Sequence, residues 1–308
     1  MHQPIMWQQL LQQIQQHNFK ALARCISLVE NEAVGFDDFL ATLPTGSNTA
    51  IIGITGAPGA GKSTLTDALI DALVIENKRI GVLCIDPSSP FNLGALLGDR
   101  IRMSNWYNHP NVFIRSLATR GSLGGLHPHI IEIMGVMQAA DFDYIIVETV
   151  GVGQSEIEIA GLADTTVVVV VPESGDEVQT MKAGLMEIAD IFVLNKSDRP
   201  GADRFVRNLR LMLAPAFNNA NWQVPIIKTI ASQKQGISEL VNNIILHQQK
   251  ITSSDKKYWL LAEKAYQIIQ QKRMKNIDKQ QLKEQIIMAH AANNFNLFTF
   301  IQNAEGQP

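Results

Sequence analysis

The chain has little of what marks a secreted, membrane-embedded or nucleic-acid-binding protein. Its 308 residues hold two cysteines, Cys25 and Cys84, far apart in the chain and each in apolar surroundings. They give neither a disulfide framework nor a metal-ligand spacing, so a reducing cytoplasm is the expected location. No apolar run reaches transmembrane length, and the amino-terminal segment has no basic stretch followed by an apolar one. A membrane partner, an anchor and a secretory leader are therefore not expected, and the scarcity of arginine there argues against an organelle transit peptide. The formal charge is −3 and aromatics make up 6%, with no basic stripe interleaved with rings, so nucleic acid is not an expected partner. What remains is 46% apolar residues, ample for a sizeable core. The length suits one large domain with appendages, or two small ones.

Three zones separate by pattern. Residues 1–48 are Gln-rich, yet Trp7, Leu10, Leu11 and Ile14 recur at the spacing of one helix face, and a second helical stretch runs from Ala21 to Val29. The turn-rich run Pro44-Thr45-Gly46-Ser47-Asn48 closes this helical extension. From 49 to 250, short apolar strands alternate with longer helical patterns: Ile51–Ile54, Ile80–Ile85, Val112–Ile114, Tyr144–Val147, Thr165–Val171, Ile191–Leu194 and Pro225–Ile230. Such alternation predicts an α/β fold, a mainly parallel sheet flanked by helices on both faces. Residues 251–308 return to helix, with Tyr258, Leu261, Ala265, Ile268 and Ile269 on one face.

The segment that decides most is Gly56-Ala57-Pro58-Gly59-Ala60-Gly61-Lys62-Ser63. Its glycines allow successive backbone N–H groups to turn inward and cradle phosphates. Lys62 reaches for the β/γ oxygens, and the Ser63 hydroxyl is a ligand for Mg²⁺. A buried strand precedes it, and the helix opening at Thr64 points its positive dipole end at the same place. This is the phosphate loop of a nucleoside triphosphate site in a P-loop NTPase.

Its second half is Asn195-Lys196-Ser197-Asp198, following the strand Ile191–Leu194 and thus at a strand's carboxyl end. An ionised Asp198 accepts from guanine N1–H and the exocyclic amino group, whereas adenine presents an acceptor at N1. A polar site built for a donor rejects an analogue that lacks it, so GTP is expected over ATP. Ala231, just past the last strand, is a candidate for the loop that closes over the base. Asp86 and Glu148 each end a strand at the same sheet edge and are expected around Mg²⁺. Glu148-Thr149-Val150-Gly151 has the form of a D-x-x-G switch with glutamate for aspartate, the Gly151 N–H being offered to the γ-phosphate. Asp99 is either a further metal ligand, directly or through water, or an exposed loop acid. The run from Arg120 to Gly125 is either a mobile switch or a turn. Where small GTPases carry a water-orienting glutamine after the switch glycine, this chain has Val152, with Gln154 further on. Valine cannot bond water, so hydrolysis by the isolated protein is expected to be slow.

On these residues the chain resembles the methylmalonyl-CoA mutase-associated GTPases of the MeaB/ArgK type, in the SIMIBI class of P-loop GTPases. The carrying segments are Gly53–Leu65, Asp86-Pro87-Ser88-Ser89, Leu97-Gly98-Asp99-Arg100, His109-Pro110-Asn111, Arg120–Gly125, the run Val147–Glu156, Gly175-Asp176-Glu177, Lys182 and Asn195–Asp198. The resemblance implies a GTP-binding, GTP-hydrolysing chaperone of an adenosylcobalamin-dependent acyl-CoA mutase that gates cofactor loading and protects or reactivates the enzyme. It also implies a homodimer formed through the carboxy-terminal helical arm. By matching position, Lys62 and Ser63 hold phosphate and Mg²⁺, while Asp86, Asp99 and Glu148 surround the metal. The stretch from Glu173 to Lys182 is a partner-responsive switch, in which Lys182 either stabilises phosphate charge or is a solvated helix lysine. Departures are Glu173-Ser174 before Gly175, Ala183 at a commonly basic place, Arg100 for lysine, and Ile230 for serine. Beyond about residue 255 the resemblance fades. Two other readings stay open: an ATP-dependent kinase of an amino-acid transport system, which Asp198 opposes, and a nickel-type metallochaperone GTPase. The latter lacks paired cysteines, and the close pair His127 and His129 reads most simply as a surface feature at a helix start.

Overall fold

Runs of β-branched residues with no polar face cannot present either side to water, so they pair into a sheet that must be covered twice. The computed structural model describes residues 3–44, 46–86, 103–119, 126–151, 158–172, 183–213, 222–251, 255–274, 277–291 and 295–305. Seven such runs form one sheet: β1 (Ala50–Gly56), β2 (Ile80–Asp86), β3 (Val112–Ala118), β4 (Tyr144–Glu148), β5 (Thr165–Val170), β6 (Ile191–Leu194) and β7 (Ile226–Lys228). Their order is β3-β2-β4-β1-β5-β6-β7, and every pairing is parallel. The sheet expected to be mainly parallel is wholly so among the described residues. Because β1 has β4 on one side and β5 on the other, the chain winds outward in both directions from it. Its carboxyl end is therefore a crevice where ligands bind in such sheets.

Alternation along each strand sends neighbours to opposite faces. Ile52, Ile54, Val82 and Ile146 pack under α4 (Lys62–Ile75) and α8 (Ile237–Ile251), with Leu65, Leu69, Leu240 and Ile244 as their partners. Ile51, Leu83, Ile145 and Val147 face the other way, against α2 (Phe19–Glu30) and α5 (Ile130–Gln138). A third cluster joins β5 and β6 to α6 (Ala183–Ile188) and α7 (Ala202–Leu213) through Val168, Phe192, Phe205 and Leu209.

The amino-terminal helices belong to that second face. On α1 (Gln3–Gln15) the expected stripe Trp7, Leu10 and Ile14 is buried, with Leu11 half-buried beside it. Helix α2 starts where the Asn18 side chain accepts from the backbone N–H groups of Lys20 and Ala21. A third helix inside the expected helical extension, α3 (Phe36–Ala41), is only 6 residues long, too short to display a period of its own. Trp7 stacks on its Phe39 at 4.6 Å between centroids and donates from Nε1 to Val34 O at 3.1 Å.

Two strands depart from expectation. β3 continues past Ile114 through Arg115 and Ser116, because the Arg115 guanidinium is paired with Glu30 of α2 and donates to Ser27 Oγ at 2.9 Å. β7 is shorter than Pro225–Ile230, since Ile230 leaves the ladder for an antiparallel bridge to Gln235.

The chain divides into two compact units, Met1–Lys257 and Tyr258–Pro308. Helix α9 (Asp255–Met274) spans that division, and α10 (Lys279–Ala291) and α11 (Leu297–Glu305) follow it. In the second unit His290 stacks on Phe295 at 4.4 Å, and Phe295 contacts Phe300. On the face expected from Tyr258 to Ile269, Tyr258 and Ile269 are 74% and 51% exposed and Ile268 is half-buried.

Candidate functional site

Strand β1 ends at Gly56, and the chain turns through Gly59 and Gly61 at φ values of +77° and +90° before α4 begins at Lys62. At Gly61 a side chain is excluded twice, by the left-handed backbone and by the Asn195 amide pressed against it. No side chain caps the first turn of α4, so its backbone N–H groups and dipole end face the loop. Pro58 and Gly59 are exposed at the tip of the loop, Ala57 is half-buried, Ala60 is buried, and Thr64 is half-buried.

Lys62 is 7% exposed. Its Nζ donates to Gly56 O at 2.9 Å, Ala57 O at 3.2 Å and Val150 O at 3.3 Å. The ammonium thus sits between the loop after β1 and the turn after β4, and a bound phosphate oxygen would exchange for those neutral carbonyls as a stronger, charged acceptor. Gly151 closes the same space, with φ +87°; a Cβ there would collide with Gly56 O and Lys62 Nζ. Only glycine lets the E-x-x-G turn come this close to the loop.

The carboxylates arrive as their strands dictate. Glu148 pairs in register with Ile54 of β1 and Cys84 of β2, and Asp86 closes β2. Both are nearly inaccessible, at 3% and 2% exposure. Ser63 Oγ donates to Glu148 Oε1 at 2.6 Å, and Thr66 Oγ1 lies 2.9 Å from Glu148 Oε2. Thr66 was not singled out from the sequence, where it reads as an ordinary helix residue; its place one turn after Ser63 is the signal that could have found it. Beneath the turn, Thr149 Oγ1 donates to Thr55 Oγ1 at 3.0 Å and Thr149 N to Ile54 O at 3.0 Å.

Asn195 ties the loop to the opposite half of the crevice. Its Nδ2 donates to Ala60 O at 2.9 Å, while its Oδ1 accepts from Thr229 Oγ1 and Ala231 N, each at 3.1 Å. The partners fix the orientation of the amide, since Ala231 N only donates and Ala60 O only accepts. Lys196, in a left-handed conformation at φ +55°, donates from Nζ to Gly59 O at 2.8 Å. Asp198 follows in an exposed turn closed by Arg199 N to Lys196 O at 3.0 Å. Gly56 to Thr64, Glu148, Gly151, Asn195, Lys196 and Ala231 are thus brought together at one sheet edge, with Asp86 ending a strand at that edge. Asp99, Val152, Gln154, Lys182 and the stretches 120–125 and 173–182 lie outside the described residues.

The histidine pair departs from its surface reading. His127 is 1% exposed, with Nε2 3.8 Å from Glu30 Oε1, and His129 lies 3.3 Å from Glu32 and 3.4 Å from Glu132. The pairing of Glu30 with Arg115 draws that carboxylate inward, and His127 follows it. The cysteines point to opposite faces of the sheet, Cys25 in the cluster under α2 and Cys84 in that under α4, so they cannot share a ligand. Burial pushes the Cys25 thiol up to about 12, which keeps it protonated. Among the described residues there is no group of three or more His, Cys, Asp or Glu side chains placed to hold a metal.

Comparison with known proteins fits this geometry. The family model described as methylmalonyl Co-A mutase-associated GTPase MeaB matches residues 22–290. A Pyrococcus abyssi protein, whose name carries a provisional GTPase assignment, is 48% identical over 250 residues, 80% of this chain and 77% of its own length. The fused isobutyryl-CoA mutase of Geobacillus kaustophilus is 36% identical over 237 residues, 72% of this chain and 22% of that protein. The crystal structure of an LAO/AO transport system kinase superposes with a TM-score of 0.65 at 26% identity, covering 98% of this chain and 97% of the other.

Proposed function

The chain belongs to the MeaB family of methylmalonyl-CoA mutase-associated GTPases, and from that premise we propose that it binds and hydrolyses GTP as a chaperone of an adenosylcobalamin-dependent acyl-CoA mutase. In this reading it gates loading of the mutase cofactor and protects or reactivates the enzyme. The observation that carries the nucleotide part is the Asn195 amide, which joins the phosphate loop at Ala60 to the base-side loop at Ala231. One residue then sets the spacing between the triphosphate and the purine.

The roles follow from position. Backbone N–H groups from Gly59 to Thr64 cradle the phosphates, and the Lys62 ammonium leaves its three carbonyls for phosphate oxygens. Asp198 accepts from the guanine edge, and Lys196 braces the loop at Gly59. Gly151 N–H faces the γ-phosphate, and the valine that follows it leaves hydrolysis slow until a partner supplies a group that orients water. The donor set suits Mg²⁺: a serine hydroxyl, Glu148 and Asp86 are hard oxygens at nearly dry positions. When bound there, Mg²⁺ would neutralise charge on the β- and γ-phosphates. Asp99 and Lys182 complete this proposal from the segments outside the described residues.

A mutase partner is supported by the name of the Geobacillus relative, a fused isobutyryl-CoA mutase with a stretch like this chain inside it. A homodimer is supported by the exposed apolar side chains of the carboxy-terminal helices, Tyr258, Trp259, Ile269, Met288 and Phe298 among them. No described helix is long and apolar enough to cross a membrane, and action in the cytoplasm is part of the proposal. The kinase reading, which the name of the structural relative echoes, requires ATP. The nickel-carrier reading requires a ligand cluster that the described residues lack.

The test compares GTP, ATP and XTP on the wild type and Asp198→Asn, then measures GTP turnover with and without a purified acyl-CoA mutase. GTP preference, a shift of the variant toward XTP, and faster turnover with mutase are expected. Preference of the wild type for ATP sinks the guanine assignment, and no binding or stimulation by any such mutase sinks the chaperone role.

A further inference from the structure

Thr66 is wholly buried, one helical turn beyond Ser63 on the face of α4 that meets β4. The two oxygens of Glu148 are therefore divided between two hydroxyls of one helix: Oε1 accepts from Ser63 Oγ at 2.6 Å, and Oε2 lies 2.9 Å from Thr66 Oγ1. The Thr66 hydroxyl has a single proton and two acceptors in reach, because Lys62 O is 3.0 Å away as the ordinary partner one turn back. A carboxylate oxygen is the stronger acceptor, so the bond to Glu148 prevails.

This matters because the switch acid here is a glutamate. Compared with aspartate it has one more rotatable bond, and its carboxylate must be held against that freedom in a place where water does not reach it. Ser63 cannot hold it alone, since Ser63 is itself the residue placed to turn toward a metal. Thr66 has no such second duty. Resting on the GTPase reading above, we propose that Thr66 is a positioning residue: it fixes Glu148 through Oε2, leaves Oε1 directed at Ser63, and so sets the affinity of the nucleotide-bound site for Mg²⁺. Loss of the hydroxyl removes a donor from a buried carboxylate oxygen and loosens the hold on the orientation of the group.

The experiment follows release of a fluorescent GDP analogue from the full-length protein while free Mg²⁺ is varied. In the wild type Mg²⁺ slows release, and the midpoint of that effect reports metal affinity. Thr66→Val keeps the volume and removes the hydroxyl. Its midpoint is expected at about tenfold higher Mg²⁺, a change of one log unit in an equilibrium constant, while release in excess chelator stays within about twofold of wild type. Thr66→Ser, which restores the donor, returns the midpoint toward wild type, and this separates a role in holding Glu148 from a packing role. Thr66→Ala, read beside its thermal unfolding curve, serves if the valine variant does not fold. A midpoint unchanged in folded Thr66→Val or Thr66→Ala, or a serine variant no better than valine, overturns the inference and leaves the GTPase reading standing. A wild type that fails to bind the GDP analogue overturns that reading itself.

Discussion

Replacing Asn195 by alanine removes three hydrogen bonds at once from a residue that is 3% exposed: one to Ala60 O and two received from Thr229 and Ala231. A typical intramolecular hydrogen bond contributes about 0.5–1.5 kcal/mol net, and a buried group left without a partner costs about 1–3 kcal/mol. Three modest bonds, with the Ala60 carbonyl and the Ala231 N–H stranded, give a loss of roughly 3 kcal/mol of folding stability. Nucleotide affinity should fall as well, by at least about tenfold, because both loops must then be ordered at the expense of binding. Urea unfolding gives the first quantity and titration with a fluorescent GDP analogue the second. Asn195→Asp sharpens the test. It keeps one oxygen for Thr229 and Ala231 but sets the other carboxylate oxygen against Ala60 O in place of a donor. A buried charge facing a carbonyl oxygen should cost at least as much stability as the alanine variant, and affinity stays low because the link to the phosphate loop is lost. If Asn195→Ala costs less than about 0.5 kcal/mol, a surface-substitution effect, and affinity is unchanged, then the amide does not couple the two halves of the crevice.

Two further outcomes are expected. Lys62→Ala removes the ammonium that now bridges Gly56, Ala57 and Val150; charge-assisted bonds contribute about 1.5–3 kcal/mol each, so GTP affinity or turnover should fall at least about tenfold, and unchanged turnover in steady-state assays would contradict the site. Cys25 has its folded pKa raised by burial from 9.0 to about 12. A raised thiol pKa gives stability that is present below the unfolded value and is lost as pH rises through the interval up to the folded one, because the unfolded chain then releases a proton the native state keeps. The wild type should lose stability from about pH 9 upward with a slope up to about 1.4 kcal/mol per pH unit steeper than Cys25→Ala, as read by urea melts at stepped pH; equal slopes would refute it.

How far the sequence carried depends on what each element needed from distant residues. The strands were legible because a wholly parallel sheet buries both faces, so their apolar runs are almost unbroken. β3 was cut short at Arg115 because a charge reads as the end of a buried strand until Glu30 and Ser27, far back on α2, are seen to receive it. The phosphate loop was legible because its chemistry is local: three glycines within six positions, then Lys62 and Ser63. The Asn195–Ala60 bond was not, since its partners are 135 positions apart and nothing in N-K-S-D itself says which residue holds the loop. Thr66 escaped for the same reason, its hydroxyl acquiring meaning only when the β1–β4 register brings Glu148 alongside. His127 misled in the other direction: two histidines at a helix start suggest solvent, and only the acid on α2 explains the burial.

The amino-terminal helices share one hydrophobic cluster with β2, β3 and β4, where Leu22, Ile26 and Val29 lie against the same face as Leu83, Phe113 and Ile145. They are not an ornament that can be pruned to leave a minimal catalytic module. A gene fragment opening at Thr49 would strip the roof from half the sheet and leave an oily wall facing water, prone to clumping with its own kind. Whatever reshapes those first helices, whether a splice, a fusion or a nearby protein pressing on them, would be felt through the strands that deliver Asp86 and Glu148 to the crevice.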